Sequence, residues 1–415
     1  MTRYVSTLTL ILVAIGLIVL ILGKQIVRDI VEGSFAIQKQ EDRPLKEQYS
    51  LVEASSLGNI ERVRRLIRDK DISPNVVDPL GRSPLRSAIE SGYYEIAKFL
   101  IENGANVNEV DYEGNSPLIL AVRLGRVELF DLLVEKGAKL NYRSPIGRTA
   151  LYEAVLNGNY VIADKLLSAG ADPLAIDIYG NTLLHAAVMS ENIPTLSKVL
   201  TTSINIDSQN RSGITPLGLA VSHQLIPQVK VLIDYGASVS IRDTERQNVL
   251  TLAVRSDELK RQRQDQIANE IESLGKKKTA EEIKEIKLQD LRKTQHIVKM
   301  ILKNAPRGDL TLINSVDRYL RTPLMYASMS GNFLVVEELI KAGANLNRQD
   351  ESGMTALHYA TEAGYSVIAE DLLLAGANIN LKNNQGRSPV QLAQDLGKSN
   401  VEKVLTRQAQ EATRQ

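Results

Sequence analysis

The chain has 415 residues, 43% of them hydrophobic, with no cysteine, no tryptophan, 14 tyrosines and 4 phenylalanines. Without cysteine there is no disulfide scaffold, thiol nucleophile, redox dithiol or cysteine-based zinc module, and 50 basic against 49 acidic residues leave a net charge of +1, no global field for nucleic acid. The core is therefore expected to be aliphatic, and the length fits two or three ordinary domains unless the chain is a repeat array.

Residues 4–23, YVSTLTLILVAIGLIVLILG, carry no charge and lie between Arg3 and Lys24. As a helix they would reach roughly 30 Å, the thickness of a bilayer's hydrocarbon core, so residues 1–23 are expected to form an N-terminal transmembrane helix. Signal-peptide cleavage needs small residues soon after the apolar run, whereas GKQIVRD follows, which favours an uncleaved anchor. Arg3 and the terminal amine on one side balance Lys24 and Arg28 on the other, so charge does not set the orientation. The short basic start resembles an uncut export signal, and a chain without thiols suits an oxidising compartment. The expectation is a single-pass protein of the bacterial inner membrane, touching lipid through residues 4–23, with its remaining residues periplasmic; a cytoplasm-facing chain is the alternative. Residues 24–46, of mixed charge and with Pro44, read as a juxtamembrane linker.

From residue 47 the sequence repeats with a period of 33: Gly81, Gly114, Gly147, Gly180 and Gly213, then Arg246, and again Leu320, Gly353 and Gly386. Each period reads as a turn glycine, Ser or Thr, often Pro, an apolar helix, a second glycine, another apolar helix and then Gly-Ala. Ser or Thr ahead of Pro84, Pro117, Pro216, Pro323 and Pro389 predicts a helix N-cap with proline in the first turn. Gly104, Gly137, Gly170, Gly236, Gly343 and Gly376 predict left-handed closure of the second helix. Alanine at 88, 121, 154, 187, 220, 253, 327, 360 and 393 predicts close helix contact, and Asp78, Asp111, Asp177, Asp243, Asp317 and Asp350 predict turns whose side chains cap backbone amides. Ten units begin near 48, 81, 114, 147, 180, 213, 246, 320, 353 and 386, the first and last reading as polar caps, with a polar tail at 408–415. Ser203 and Ile204 replace Gly-Ala in the fifth unit, and Arg246 and Leu320 replace turn glycines.

The seventh unit is longer by 41 residues. Residues 257–296 are rich in helix formers; Gly275 with Lys276, Lys277 and Lys278 marks a turn, and Thr279 with Glu282 forms a capping box. A helical-hairpin insertion is expected, either an inert excursion or an arm for partner binding or self-association. Its near-equal acids and bases argue against a nucleic-acid arm.

The segments GRSPLRSAIESG from Gly81, GNSPLILAVRLG from Gly114, GRTALYEAVLNG from Gly147 and GMTALHYATEAG from Gly353, with outer segments such as AKFLIENGANVN and AEDLLLAGANIN, strongly resemble the ankyrin repeat family, here of a membrane-anchored bacterial type. The resemblance covers roughly residues 47–407. It implies an all-α ankyrin-repeat solenoid, helix-turn-helix pairs with β-hairpin turns, stabilised by stacking. It also implies structural hydrogen bonding by His185 and His358, and protein recognition by a concave surface of hairpin tips and inner helices. The positions that map there are Leu80 and Arg82; Tyr112, Asn115, Arg123 and Leu124; Ile146, Arg148 and Leu156; and Ile178, Tyr179 and Met189. Large apolar groups rimmed by arginine suit an interface. No catalytic constellation, metal-ligand spacing or phosphate loop is present, so no enzyme activity, cofactor or metal is expected. The function read from the sequence is a membrane-tethered scaffold for another protein, the alternatives being a cytosol-facing adaptor or a self-associating structural protein.

Overall fold

The computed structural model describes residues 43–256, 280–306 and 310–412, and its regular structure among them is entirely helical. The expected β-hairpins are present as hydrogen-bonded turns rather than strands. No helix among the described residues is long and apolar enough to cross a membrane. That finding overturns the expected single-pass membrane location, periplasmic or cytoplasm-facing: the described helices bury their apolar residues against one another. The 4–23 segment itself, with its expected lipid contact, lies outside the described residues.

The chain divides into two compact units at Asn106 and Val107. The first holds α1 (Arg43–Ser56) with α2 (Ile60–Arg68), and α3 (Pro84–Ser91) with α4 (Tyr94–Glu102). Here α1 packs on α3 and α2 on α4, burying Leu51, Val63, Leu85, Ile89, Ile96 and Leu100. Arg64 and Arg68 of α2 lie over the Phe99 ring at 5.8 and 5.2 Å from its centroid, so the charged face of α2 still covers apolar surface.

The second unit continues the pairing: α5 (Pro117–Arg123) with α6 (Val127–Glu135), α7 (Ala150–Leu156) with α8 (Tyr160–Ser168), α9 (Leu183–Met189) with α10 (Ile193–Leu200), and α11 (Pro216–Ser222) with α12 (Ile226–Asp234). There follow α13 (249–256) with α14 (Ala280–Lys303), α15 (Pro323–Ser330) with α16 (Phe333–Lys341), α17 (Ala356–Ala363) with α18 (Ser366–Leu374), and α19 (Pro389–Asp395) with α20 (Ser399–Ala412). Inner helix stacks on inner and outer on outer, as α7 does on α9 and α16 on α18. The nine periodic alanines are 0 or 1% exposed. A methyl group there lets helices approach until leucines such as Leu151, Leu184 and Leu217 are fully buried, each contributing roughly 1.5–3 kcal/mol of transfer free energy.

Local chemistry fixes the helix ends. Ser83, Ser116, Thr149, Thr215, Thr322, Thr355 and Ser388 each accept the backbone N–H three residues on, five of them followed by Pro in the first turn. His185 and His358 close a second hydrogen bond at this point: Nδ1 accepts the N–H of Thr182 or Thr355 at 3.2 Å, and Nε2 reaches the carbonyl of Ile214 or Arg387 in the following repeat at 2.9 or 3.1 Å.

A ladder of asparagines ties successive loops. The Oδ1 atoms of Asn108, Asn141, Asp207, Asn314 and Asn347 accept the N–H of Lys139, Asp172, Ser238, Asn345 and Asn378, each within 2.7–2.8 Å. No such bond forms where Leu174 takes the asparagine position.

In the seventh repeat α14 is 24 residues long. Its buried Ile297, Val298 and Ile301 sit between α12 and α16, Thr294 Oγ1 accepts from Gln224 Nε2 at 3.0 Å, and Lys299 Nζ lies 3.3 Å from Glu338. The first arm of the expected hairpin and its Gly275–Lys278 turn lie outside the described residues, and so does most of the segment to which self-association was assigned.

Candidate functional site

Each finger between repeats is built on one polar side chain, an aspartate or asparagine except at Ser144. Asp177 Oδ1 accepts the N–H groups of Tyr179 and Asn181 at 2.9 and 2.8 Å, and the Gly180 N–H donates to the Asp177 carbonyl at 3.0 Å. Gly180 has φ +76°, the left-handed region in which a side chain is strained. The same turn forms at Arg246 and Leu320 with φ +64° and +60°, so the two non-glycine residues adopt the glycine conformation instead of abolishing the turn.

Neighbouring tips in the second unit are joined by one backbone hydrogen bond apiece. The N–H groups of Ile178, Arg211, Thr244, Arg318, Glu351 and Asn384 donate to the carbonyls of Ile146, Tyr179, Ser212, Glu245, Tyr319 and Ser352 at 3.0–3.2 Å. The series starts after Pro145, which has no N–H to give and whose ring lies against Gly114, where a Cβ would come within 2.3 Å of it.

The tips thus hold their side chains on fixed backbone. Tyr112 and Tyr179 are 67 and 61% exposed, and Ile146 and Ile178 are also exposed. Leu124 and Met189, at the ends of α5 and α9, are exposed, and Leu156 at the end of α7 is half-buried. Leu80 and Arg82 belong to the first unit; Leu80 is exposed, while the Arg82 guanidinium is held 2.7 Å from Asp78 Oδ2.

The other polar members are structural. Asn115 is 6% exposed; its Nδ2 donates to Glu113 at 3.0 Å and its Oδ1 accepts from Arg123 Nη2 at 2.9 Å. Arg123 also lies 3.4 Å, and Arg148 3.7 Å, from the carboxylate of Glu153, which is only 3% exposed, and Arg148 stacks 5.2 Å from the Tyr152 ring centroid. The expected arginine rim is therefore committed inward: a buried carboxylate needs its cations more than solvent does. Glu153, a charge between Tyr152 and Ala154 in an apolar helix, is the sequence signal for this inward pairing.

A feature absent from the sequence reading lies between repeats 6 and 7. A cleft of about 600 Å³ opens there, floored by Ile214 and Leu252 and walled by Asp243, Gln247, His223 and Arg255. In repeats 8 and 9 a tyrosine hydroxyl donates to the second oxygen of the turn aspartate, Tyr326 to Asp317 at 2.6 Å and Tyr359 to Asp350. The counterpart of those tyrosines is Leu252. Tyr152 serves Asp177 from the preceding repeat at 3.1 Å, but its counterpart ahead of Asp243 is Gly218. Asp243 Oδ1 accepts the N–H groups of Glu245 and Gln247 at 2.9 and 2.8 Å, and Oδ2 has no partner. Burial raises the pKa of this carboxyl above the ordinary carboxylate value, against the opposing pull of those two N–H groups. Gln247 is 2% exposed and its Oε1 is buried with no hydrogen bond. Glu245, by contrast, is paired with Arg318 at 2.8 Å. No group of three or more His, Asp or Glu able to hold a metal occurs among the described residues.

A family model described as Ankyrin repeats (3 copies) matches residues 21–111, 51–144, 109–177, 151–243, 291–383 and 324–414. A stretch of 52 residues is 50% identical to the Acyl-CoA-binding domain-containing protein 6 homolog of Dictyostelium discoideum, taking in 12% of this chain and 18% of that protein. The chain thus spans less than a fifth of that relative's length. The crystal structure of the ankyrin repeat domain of Bcl-3, a member of the IkappaB protein family, is similar at 26% identity and a TM-score of 0.45, over 52% of this chain and 95% of that one.

Proposed function

The chain belongs to the ankyrin repeat family, whose model matches well over half of it, and from that premise we propose that it recognises another protein through the tips of repeats 3 to 5, without catalysis. Ankyrin repeats in general mediate protein–protein interaction, and this chain concentrates exposed Tyr112, Ile146, Ile178 and Tyr179 on those tips. The observation that carries the reading is their rigidity: Ile178 and Tyr179 lie on backbone hydrogen-bonded to the tips on either side, so little conformational entropy is lost when a partner covers them. Tyrosine combines a large contact area with a hydroxyl that tolerates water, which suits a surface exposed until it binds. Leu124 and Met189 extend this surface along the inner helices, and Leu80 is the corresponding apolar tip of the first unit. Asn115, Arg123 and Arg148 act beneath the surface, fixing the tips on Glu153.

Partner recovery after crosslinking from native cells, compared between the full chain and Tyr112→Ala/Tyr179→Ala, tests this. The double variant removes two exposed rings and, with Tyr112, one surface hydrogen bond to Glu113 at 3.0 Å; it is expected to fold normally and to lose at least tenfold in recovery. Equal recovery would remove the tip surface from consideration.

A further inference from the structure

Three groups around the cleft between repeats 6 and 7 make no hydrogen bond with a described residue: the Oδ2 atom of Asp243, the buried Oε1 of Gln247, and the half-buried Arg255, whose charge acts through space on Asp243 and Tyr326 without a close ion pair. Repetition makes their isolation informative. Asp78, Asp177, Asp317 and Asp350 all have their second oxygen occupied, by Arg82, by Asn181 and Tyr152, by Tyr326 and by Tyr359. Asp243 is open because Leu252 and Gly218 stand where Tyr326, Tyr359 and Tyr152 stand in other repeats, and because Gln247 does not close the turn as Arg82 and Asn181 do; the space a phenol ring fills elsewhere is cleft. A buried acceptor without a donor is destabilising, so Gln247 Oε1 carries a standing penalty that a suitable ligand removes.

The charges select the ligand. Asp243 and Arg255 sum to zero, and Glu245 is already neutralised by Arg318. A partner's ammonium or guanidinium would satisfy Asp243 but approach Arg255; a carboxylate would satisfy Arg255 but approach Asp243. Two acceptors and one cationic donor are matched together by a neutral group with two N–H donors and a carbonyl acceptor. We propose that this cleft binds a primary carboxamide, the side chain of a glutamine or asparagine in an extended segment of the partner protein, with the NH₂ donating to Asp243 and Gln247, the carbonyl accepting from Arg255, and the methylene stem lying on Ile214 and Leu252. A volume of about 600 Å³ holds such a side chain with its flanking backbone and lies within the usual range of ligand sites. The partner as the source of this group rests on the recognition reading above; the selectivity of the cleft does not.

The test uses small probes and the full chain carrying ¹³C-methyl isoleucine, with the Ile214 signal assigned through Ile214→Val. N-acetyl-glutamine N-methylamide is titrated to tens of millimolar beside the corresponding glutamate and lysine derivatives. The Ile214 methyl is expected to shift saturably with the glutamine probe, with at least tenfold weaker response to either charged probe. Leu252→Tyr supplies the hydroxyl present in repeats 8 and 9 and fills the cleft; it is expected to abolish the shift while leaving the melting temperature unchanged or higher. An unmoved Ile214 signal in the folded chain, an equal response to a charged probe, or an undiminished shift in Leu252→Tyr overturns the proposal. Because the probes are free molecules, any of these results leaves the crosslinking test of the tip surface standing, and loss of the tip surface leaves this titration unaffected.

Discussion

At the scale of single residues, the turn position of each repeat separates what the backbone demands from what the side chain supplies. Seven of the turns place glycine in the left-handed region, and Arg246 and Leu320 enter it as well, keeping the hydrogen bonds from their N–H groups to the carbonyls of Asp243 and Asp317 at 3.0 and 3.1 Å. A Cβ in that region costs about 1–2 kcal/mol, and glycine returns part of that through its freer unfolded chain. Arg246→Gly and Leu320→Gly are therefore expected to stabilise the protein by about 0.5–1 kcal/mol each, read as a higher urea midpoint at unchanged slope; a lower midpoint would show that these side chains hold something the turn does not.

Helix pairs are joined by chemistry that depends on pH. His185 and His358 bridge the start of their own helix to the next repeat, and burial lowers the pKa of both from the ordinary value of 6.5, outweighing the carbonyls that face Nε2. Nδ1 accepts a backbone N–H, so the folded state holds the neutral ring. Above pH 6.5 the ring is neutral in both states and its contribution is fully present; as pH falls below 6.5 the unfolded chain takes up a proton that the folded one resists, and stability is lost. His185→Asn/His358→Asn is expected to be less stable at pH 7 and to lose less between pH 6.5 and 5, measured by urea unfolding across that range. Much of this level was legible in the sequence: the period of 33, the Ser/Thr-Pro caps, the turn aspartates and the two histidines recur at fixed spacing because each satisfies a local backbone need. The asparagine ladder was legible too, in the recurrence of Asn108, Asn141, Asn314 and Asn347, but its meaning is a bond across 31 residues that local reading does not reveal. The inward commitment of Arg123 and Arg148 and the cleft at Asp243 were not legible, since each depends on which side chain the preceding or following repeat presents.

For the molecule as a whole, stacked repeats behave as a chain of interfaces, so each interface adds its own term to the stability of the array. Within the second unit the loop ladder is interrupted between repeats 4 and 5, where exposed Leu174 holds the ladder position 31 residues before Asn205. Leu174→Asn is expected to place an Oδ1 acceptor for the Asn205 N–H, in the register of the other five bonds, and to add about 1 kcal/mol. Hydrogen exchange at the Asn205 amide should slow accordingly; unchanged exchange there would show that the loop path, and not the side chain, breaks the ladder.

The tip bond between Arg318 and Glu245 closes at 3.1 Å across 73 positions of sequence, while its neighbours close at 3.2 Å across 32. The array therefore counts repeats and not residues: chain added between the two helices of repeat 7 leaves repeats 8 to 10 where they would have been. That point is a natural socket, where a binding peptide, a fluorophore-bearing loop or a whole inserted domain can be carried without re-aligning the surface on either side.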